Sequence, residues 1–338
     1  MTFNKTVKPF VTEASLIKGG EILELCESNV KDRNTLIFTA DIKSLSDDGN
    51  IAVGHGYKVT GGGWIEIGRK TVRAFNFYHF RQEPLCPVTE PISHGLIIEG
   101  HITVLIEKNT LGGDVARIIT DSGEISIDVS GIAGNRGAVF SSVTDGALEN
   151  CKLSWICSCY ADPIWIFGDS YLSHTDDVRW PYYLYMDGYN QLLLSGYSGM
   201  ATQYALPDFE LALRRGVPEY AVWCLGMNNN DGESEEPSES WLNTTERFLA
   251  ICDEKKITPI LATIPSTPKI NNKPKSKWVR ESGRRFIDFE RAVGADEELN
   301  WREGMLSEDL VHPAKRGAIA LYARVLSDFP EICAAKKI

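Results

Sequence analysis

The sequence predicts two domains of different fold class, an N-terminal all-β domain followed by a C-terminal α/β domain. Three observations lead to this prediction. The chain has 338 residues, which is more than a single hydrophobic core usually serves. The pattern of residues 35–157 predicts short strands with glycine-rich turns between them. From about residue 160, short apolar runs alternate with predicted helical segments. We therefore expect one domain over residues 1–158 and the other over residues 159–338.

The first domain consists of short segments in which apolar and polar side chains alternate. A period of two turns one face of each strand toward a core. The clearest such segments are residues 35–42, 64–67, 72–78, 101–106 and 124–129. No long helical stripe lies between them. Many short strands with turn residues between them predict an antiparallel β-sandwich, and their spacing resembles that of a jelly-roll or concanavalin-like fold.

The second domain contains apolar runs that are typical of strands buried on both faces in a parallel sheet. A helix is expected between two of them at residues 239–255, where apolar side chains share one face, and a last helix is expected after Pro313. The runs lie at residues 164–167, 192–194, 221–225 and 259–264, with a fifth candidate at 286–289. This order predicts a three-layer, flavodoxin-like α/β domain.

The bulk properties exclude some classes of partner. The 35 basic and 46 acidic residues leave a net charge of −11, which repels polyphosphate, so nucleic acid is not an expected partner. No run approaches the roughly 20 apolar residues of a membrane helix, and the polar N-terminus shows no signal-peptide core. We expect a cytoplasmic protein, or a secreted or periplasmic one if a leader has been removed. Most of the eight cysteines are expected to be buried thiols.

Candidate catalytic residues follow three of the predicted strands and precede the last helix. Ser170 comes after the first strand, Gly199 after the second and Asn228 after the third, while Asp309 and His312 lie before the final helix. Because the carboxyl ends of parallel strands meet at one edge of the sheet, we expect all five residues to lie there.

These residue types suit nucleophilic catalysis. A serine hydroxyl becomes an effective nucleophile when a base removes its proton. His312 is a suitable base, and Asp309, three residues before it, can hold Nδ1 and leave Nε2 toward Ser170.

Attack of the serine on an ester gives a tetrahedral intermediate whose oxyanion needs hydrogen-bond donors, and the sequence contains candidates for them. They are the backbone N–H groups of Ser170 and Gly199 and the side-chain amide of Asn228, with Gly196 as an alternative to Gly199.

Each motif also has a purely structural interpretation. Gly-Asp-Ser is a common turn or helix cap, Asn228 opens a polar turn, and Asp309 and His312 can pair at a helix start without any catalytic role. The order in which the motifs follow the predicted strands favours the catalytic interpretation.

Taken together, the motifs resemble those of the SGNH (GDSL-type) hydrolase family over about residues 160–330. The resemblance implies that Ser170 is nucleophile and oxyanion donor, that Gly199 and Asn228 are oxyanion donors, and that His312 is the base with Asp309 as its partner. It departs at one position, where Asn229 stands in place of the usual aspartate. The matching blocks are Gly168-Asp169-Ser170, Ser198-Gly199, Gly226-Met227-Asn228 and Asp309-x-x-His312-Pro313.

The predicted reaction is ester hydrolysis through an acyl-serine, which needs no metal and no organic cofactor. A β-sandwich before such a hydrolase is similar to the layout of two-domain carbohydrate esterases, which implies a short acyl group, such as acetyl, on a carbohydrate or related small molecule. Two alternatives stay open. One is a short-chain lipase or lysophospholipase-type esterase, and the other is a non-catalytic carbohydrate-binding protein with a degenerate hydrolase domain.

Further residues have two interpretations each. Trp64, Tyr57 and Tyr78 could stack on sugars or lie in the core of the first domain. His174 could line the pocket or be solvated. Arg179, Trp180 and Tyr182 could contact substrate, and Trp180 and Tyr182 could equally be packing residues at the domain junction. The acidic segment 231–240 could form a lid, bind a cation or be a solvated loop.

Overall fold

The computed structural model describes residues 9–28, 33–55, 62–77, 86–87, 89–108, 114–129, 137–172, 177–229, 234–294 and 299–336. The chain divides into two compact units, one comprising Thr6–Ser158 and the other containing Cys159–Ile338. The first unit is built from β-strands, and the second combines helices with a parallel sheet.

The strands of the first unit are all paired in antiparallel fashion within one sheet. The strand order is β10-β9-β8-β3-β4-β5-β6, and β11 pairs with β1, β2 and β3, while β7 pairs with β5. The strands are β1 Phe10–Lys18, β2 Ile22–Ser28, β3 Asn34–His55, β4 Gly62–Gly68, β5 Thr71–Phe77, β6 Cys86–Pro87, β7 Ile92–Ser93, β8 Gly100–Lys108, β9 Val115–Thr120, β10 Gly123–Asp128 and β11 Gly137–Cys157.

Two long strands, β3 and β11, join the other strands into one sheet, because each pairs with several neighbours. They pair with each other over most of their length, with register shifts near Gly146, Leu148 and Lys152. Register shifts of this kind bend strands and allow one strand to pass between two layers. The sequence pattern indicated the first part of β3 but not β1, β2, β9 or β11. The described strands form one connected sheet, so the two-sheet, jelly-roll-like sandwich stays a prediction.

Alternating side chains fill the interior of the first unit. Leu36 and Phe38 of β3 are buried, whereas Ile37 between them is partly exposed. Trp64 is completely buried, and its ring lies 5.9 Å from that of Phe75 and 6.2 Å from that of Phe140. A sugar cannot stack on a ring in this position, so the sugar-stacking hypothesis is wrong for Trp64. Tyr57 and Tyr78 lie outside the described residues.

The second unit has a five-stranded sheet in which every described pair is parallel. Its order, β13-β12-β14-β15-β16, is that of flavodoxin-like folds, in which ligands bind beside the first and third strands at the carboxyl edge. The elements are β12 Ile164–Gly168, α1 Trp180–Met186, β13 Leu192–Gly196, α2 Thr202–Leu213, β14 Tyr220–Cys224, α3 Glu239–Lys255, β15 Thr258–Ala262, α4 Lys273–Glu281, β16 Phe286–Ile287, α5 Phe289–Val293 and α6 Lys315–Asp328, with 3₁₀ turns at Ser158–Ala161 and Pro330–Ala335.

Helices cover both faces of this sheet. Successive residues of a strand point to opposite faces, so each strand contributes side chains to the core on either side. Ile164 and Ile166 of β12 belong to a core that includes residues of α1 and α6. Trp165 and Phe167, on the other face, contact Phe209 of α2 with ring centroids 6.5 and 5.3 Å apart. The prediction of a three-layer α/β unit with a parallel sheet is therefore confirmed.

Several element boundaries in the second unit differ from the sequence prediction, and two of the differences have a visible structural cause. The fifth strand ends at Ile287, because Asp288 caps α5 by accepting the backbone N–H of Arg291. The last helix begins at Lys315, and Pro313 forms an isolated antiparallel bridge with Leu306 before the helix starts.

Candidate active site

Ser170 lies in a tight turn directly after β12. The backbone N–H of Leu172 donates to the carbonyl of Asp169, and the Asp169 carboxyl accepts the N–H of Tyr171, each at 3.0 Å. Burial raises the pKa of Asp169 to about 7. Ser170 itself is 7% exposed, so the turn presents its hydroxyl at the edge of the sheet while holding the residue in place.

The imidazole of His312 lies between Ser170 and Asp309. Nε2 is 2.8 Å from Oγ of Ser170, and Nδ1 is 2.6 Å from Oδ2 of Asp309. A carboxylate can only accept, so Nδ1 carries the hydrogen and Nε2 accepts from the serine hydroxyl. Both distances are those of good hydrogen bonds. The structure thus brings together the side chain of Ser170 and those of Asp309 and His312, which the sequence places in two separate motifs.

Asp309 also shapes the loop that carries the histidine. Its Oδ1 accepts the Ser307 hydroxyl at 2.6 Å and the backbone N–H groups of Val311 and His312 at 2.9 Å each. These bonds close a turn in which Leu310 has a φ of 57°. Partial burial opposes ionisation, but the donors, led by Ser307 and His312, hold the pKa of Asp309 below its ordinary value. The carboxylate is therefore charged at neutral pH.

The second loop contains Gly199. Met200 N–H donates to the carbonyl of Tyr197 at 3.1 Å, and Gly199, with a φ of 75°, occupies the position of this turn that favours glycine. The N–H of Gly199 takes no part in the bond that closes the turn. Gly196, the alternative donor, lies buried inside β13, where an added Cβ would be 2.3 Å from Cβ of Leu172. Close packing against Leu172 therefore accounts for a glycine at position 196, and Gly199 is the stronger candidate for the oxyanion donor.

The third loop contains Asn228, whose side chain is exposed. Its Nδ2 donates to the carbonyl of Met200 at 3.0 Å. A primary amide has two N–H groups, so this bond orients the amide and leaves a second hydrogen for another acceptor.

Asn229, where the family resemblance leads one to expect aspartate, joins the third loop to the start of α2. Its Oδ1 accepts the backbone N–H of Thr202 at 3.1 Å. Its Nδ2 donates to Oγ1 of Thr202 and Oε1 of Gln203, each at 3.0 Å. A carboxylate could accept from the Thr202 N–H and hydroxyl, but it has no hydrogen to donate to Oε1 of Gln203. The Asn229 amide therefore joins the third loop to the start of α2 by three hydrogen bonds.

Lys275 also supports the third loop. It is completely buried, and its ammonium donates to the carbonyl of Asn229 at 2.6 Å and to Oδ1 of Asn272 at 2.9 Å. Sequence reasoning missed this residue, because lysine is almost always exposed and the surrounding segment is polar. Ser307 was missed as well, although its position two residues before Asp309 is typical of polar turns.

The remaining candidates have different positions. Trp180 is completely buried in the core of the unit, so it packs in the interior and is not available to a substrate. Arg179 and Tyr182 are half-buried. His174 and residues 231–233 of the acidic segment lie outside the described residues.

Within the described part of the chain, no group of three or more His, Cys, Asp or Glu side chains could hold a metal ion. In the same part, none of the helices combines the length and apolar character that a membrane crossing requires. Five described cysteines are buried free thiols, and Cys333 is exposed.

No family model and no curated protein matches this sequence. Among solved structures, the chain is similar to a GDSL-like lipase from Bacteroides thetaiotaomicron, with 16% identity, a TM-score of 0.41, and coverage of 50% of this chain and 87% of that one. A putative G-D-S-L lipolytic protein from Desulfitobacterium hafniense has 18% identity, a TM-score of 0.42, and coverage of 50% and 100%.

The psychrotrophic esterase EstA from Pseudoalteromonas has 14% identity, a TM-score of 0.39, and coverage of 50% and 98%. Each of these similarities covers half of this chain, and at such identities and TM-scores none of them assigns a role to an individual residue.

Proposed function

We propose that this protein is a serine carboxylic ester hydrolase of the SGNH (GDSL-type) family. The observation that carries the proposal is the continuous hydrogen-bonded chain from the Ser170 hydroxyl through the His312 imidazole to the Asp309 carboxylate. This arrangement provides a nucleophile, a base and a group that orients the base, all in contact before substrate arrives.

The proposed reaction has two steps. Oγ of Ser170 bonds to the acyl carbon while its proton passes to Nε2 of His312, and Asp309 stabilises the imidazolium. The tetrahedral intermediate collapses when His312 returns the proton to the departing alcohol oxygen, which leaves an acyl-serine. A water molecule, deprotonated by His312, then attacks the same carbon and releases the carboxylic acid and free Ser170.

The oxyanion of each tetrahedral intermediate is proposed to bind the backbone N–H groups of Ser170 and Gly199 and the second N–H of Asn228. The bond from Asn228 to the carbonyl of Met200 supports this role, because it preorganises the amide and so reduces the reorganisation needed during the reaction.

We expect alanine at Asn228 to lower kcat for p-nitrophenyl acetate by about 10²- to 10³-fold with a smaller change in KM, because the donor acts on charge that exists only in the transition state. Steady-state kinetics of Asn228→Ala measure this split. Asn243→Ala, on the exposed side of α3, is the matched control and should behave as wild type. A rise in KM at constant kcat would argue against an oxyanion role.

For the substrate, we propose a short acyl group, such as acetyl, on a carbohydrate or related small molecule. Gly199, Asn228 and Asp309 are exposed, and an open site of this kind favours a short acyl group over a long chain that has to be enclosed in an apolar channel. The proposal that the alcohol is a carbohydrate rests on the order of the two units along the chain. A β-rich unit, which we propose to be a jelly-roll-like sandwich, precedes the hydrolase unit. A short-chain lipase or lysophospholipase-type esterase is the alternative enzyme.

A series of p-nitrophenyl esters from acetate to palmitate tests the acyl preference. We expect kcat/KM to be highest for acetate and to fall as the chain lengthens, because added methylenes find little apolar surface to bury. Release of acetate from a panel of acetylated oligosaccharides tests the carbohydrate part. A maximum at octanoate or longer would favour the lipase alternative, and activity on acetate esters without any on the oligosaccharides would contradict the carbohydrate assignment.

A further inference from the structure

Tyr171 connects two loops that are far apart in sequence. It directly follows Ser170, and only 5% of its surface is exposed. Its hydroxyl donates to the backbone carbonyl of Val311 at 2.6 Å, across 140 residues of chain. Val311 is the residue directly before His312, so one short hydrogen bond joins the segment of the nucleophile to the segment of the base.

The ring of Tyr171 contacts the same loop. Its centroid lies 6.0 Å from that of the His312 imidazole, with the planes tilted by 51°, and 6.4 Å from the Trp301 ring in an edge-to-face arrangement. Trp301 is buried, and its indole N–H donates to the carbonyl of Ser266 at 2.7 Å. The tyrosine ring is therefore packed against an anchored indole on one side and the imidazole on another.

We infer that Tyr171 is a positioning residue, which holds the imidazole of His312 at the hydroxyl of Ser170 by tying the histidine loop to the nucleophile loop. The inference deepens the proposed function and rests on it for the catalytic consequence. Displacing a reacting group by about 1 Å can cost about 10²-fold in rate, so control of the peptide next to His312 matters for the proton transfer.

The contacts of Asp309 do not replace this bond. The side chain of Asp309 bonds to Ser307, Val311 and His312, and all of these lie within the loop itself. They fix the shape of the loop, whereas the Tyr171 hydroxyl fixes its position relative to Ser170. Burial holds the pKa of Tyr171 above its ordinary value, so the hydroxyl remains a donor through the neutral and alkaline range in which an esterase is assayed.

The test removes the hydroxyl and keeps the ring. For Tyr171→Phe we expect kcat for p-nitrophenyl acetate to fall about tenfold with KM unchanged, since one hydrogen bond is lost from a group that acts through His312. Tyr322→Phe is the matched control, because Tyr322 of α6 also donates its hydroxyl within this unit, to Asp187. The control should keep wild-type kcat and KM. Tyr171→Leu, which also removes the ring, should lose more activity than Tyr171→Phe.

A readout that does not need activity is the imidazole signal of His312 in ¹³C-histidine NMR spectra. The chain has six histidines, and the spectrum of His312→Gln assigns the signal by its absence. We expect Tyr171→Phe to move or broaden the His312 signal and leave the other signals in place, and Tyr322→Phe to move none.

An unchanged His312 signal together with an unchanged kcat in Tyr171→Phe would overturn the inference. If the wild type hydrolyses no ester but the His312 signal still responds to Tyr171→Phe alone, the tether stands and the proposed function fails. If kcat falls while the His312 signal stays in place, Tyr171 acts by some other route and the positioning role is wrong.

Discussion

Alanine at Ser170 is expected to lower kcat for p-nitrophenyl acetate by about 10⁴-fold or more, because no other group can form the acyl-enzyme once the nucleophile is gone. The residue is small and lies in a turn held by backbone bonds of its neighbours, so we expect little change in thermal stability. Initial rates corrected for spontaneous hydrolysis measure the loss. His312→Ala should lose a similar factor, and the double variant should lose little more, since the two groups act as one unit.

Ser282→Ala is the matched control for this prediction. Ser282 follows α4, and its hydroxyl donates to the backbone carbonyl of Val279, away from the loops at the carboxyl edge of the sheet. We expect it to retain wild-type kcat, and we expect a fluorophosphonate probe to label wild type and Ser282→Ala on the Ser170 peptide but not Ser170→Ala. Equal turnover by Ser170→Ala and wild type would end the catalytic proposal and favour a carbohydrate-binding protein with a degenerate hydrolase unit.

Asparagine at Asp309 is expected to lower kcat by about 10³-fold. The amide oxygen can still accept the bonds from Ser307, Val311 and His312 that shape the loop, but the amide nitrogen is then a donor facing Nδ1. The imidazole would have to accept there and carry its hydrogen on Nε2, which can no longer accept from Ser170. We expect a smaller loss than for a fully buried triad aspartate, because the side chain of Asp309 is 52% exposed and solvent screens its charge. Steady-state kinetics at constant pH measure the effect.

Asp253→Asn provides a control of equal exposure. The Asp253 side chain is 53% exposed and pairs with Arg284 at 2.7 Å on another part of the unit. It should leave kcat unchanged. If Asp309→Asn also keeps wild-type kcat with an intact fold, the carboxylate does not orient the base and the role proposed for it is wrong.

The low pKa of Asp309 also determines a pH dependence of stability. A carboxyl whose pKa is lower in the folded state than in the unfolded state stabilises the fold above the unfolded value of about 3.9, and this contribution disappears as pH falls through the lower folded value. The difference in unfolding midpoint between wild type and Asp309→Asn should therefore be constant near neutral pH and shrink in strong acid. A difference that grows on acidification would contradict the hydrogen-bonded state described for this carboxylate.

Local patterns in the sequence were sufficient to predict the parallel sheet and the order of its strands along the chain. Runs such as 164–167 and 221–225 are apolar at every position, and only a strand covered on both faces can bury them all. The motifs that follow two of these strands also indicated Ser170 and Asn228, because each is a polar residue where the apolar pattern ends. Asp309 was indicated by its position before the last helix, three residues from His312.

The same local patterns were insufficient for the β-rich unit. In β3 the alternation breaks in the stretch 43–50, where charged and glycine residues occur, so the pattern predicted a short strand where the structure has a strand of 22 residues. Trp64 was assigned an alternative role at the surface because a single aromatic residue carries no information on which face it occupies. Pairing with β11, formed from residues about 100 positions away, decides the length of β3. Packing against Phe75 and Phe140 decides the burial of Trp64.

By itself, the sequence determined which chemical groups are present and next to which strands they lie, since both follow from residue identity and local periodicity. The tertiary structure alone decided which groups meet. Ser170 and His312 are 142 residues apart, Tyr171 and Val311 are 140 apart, and Asn229 reaches Thr202 across 27. Contacts over such separations depend on how every intervening strand and helix packs, because side-chain hydrogen bonds act only over about 3 Å. The burial of Lys275 is also decided by the tertiary structure, since the carbonyl of Asn229 and the amide oxygen of Asn272 meet around its ammonium only in the folded chain.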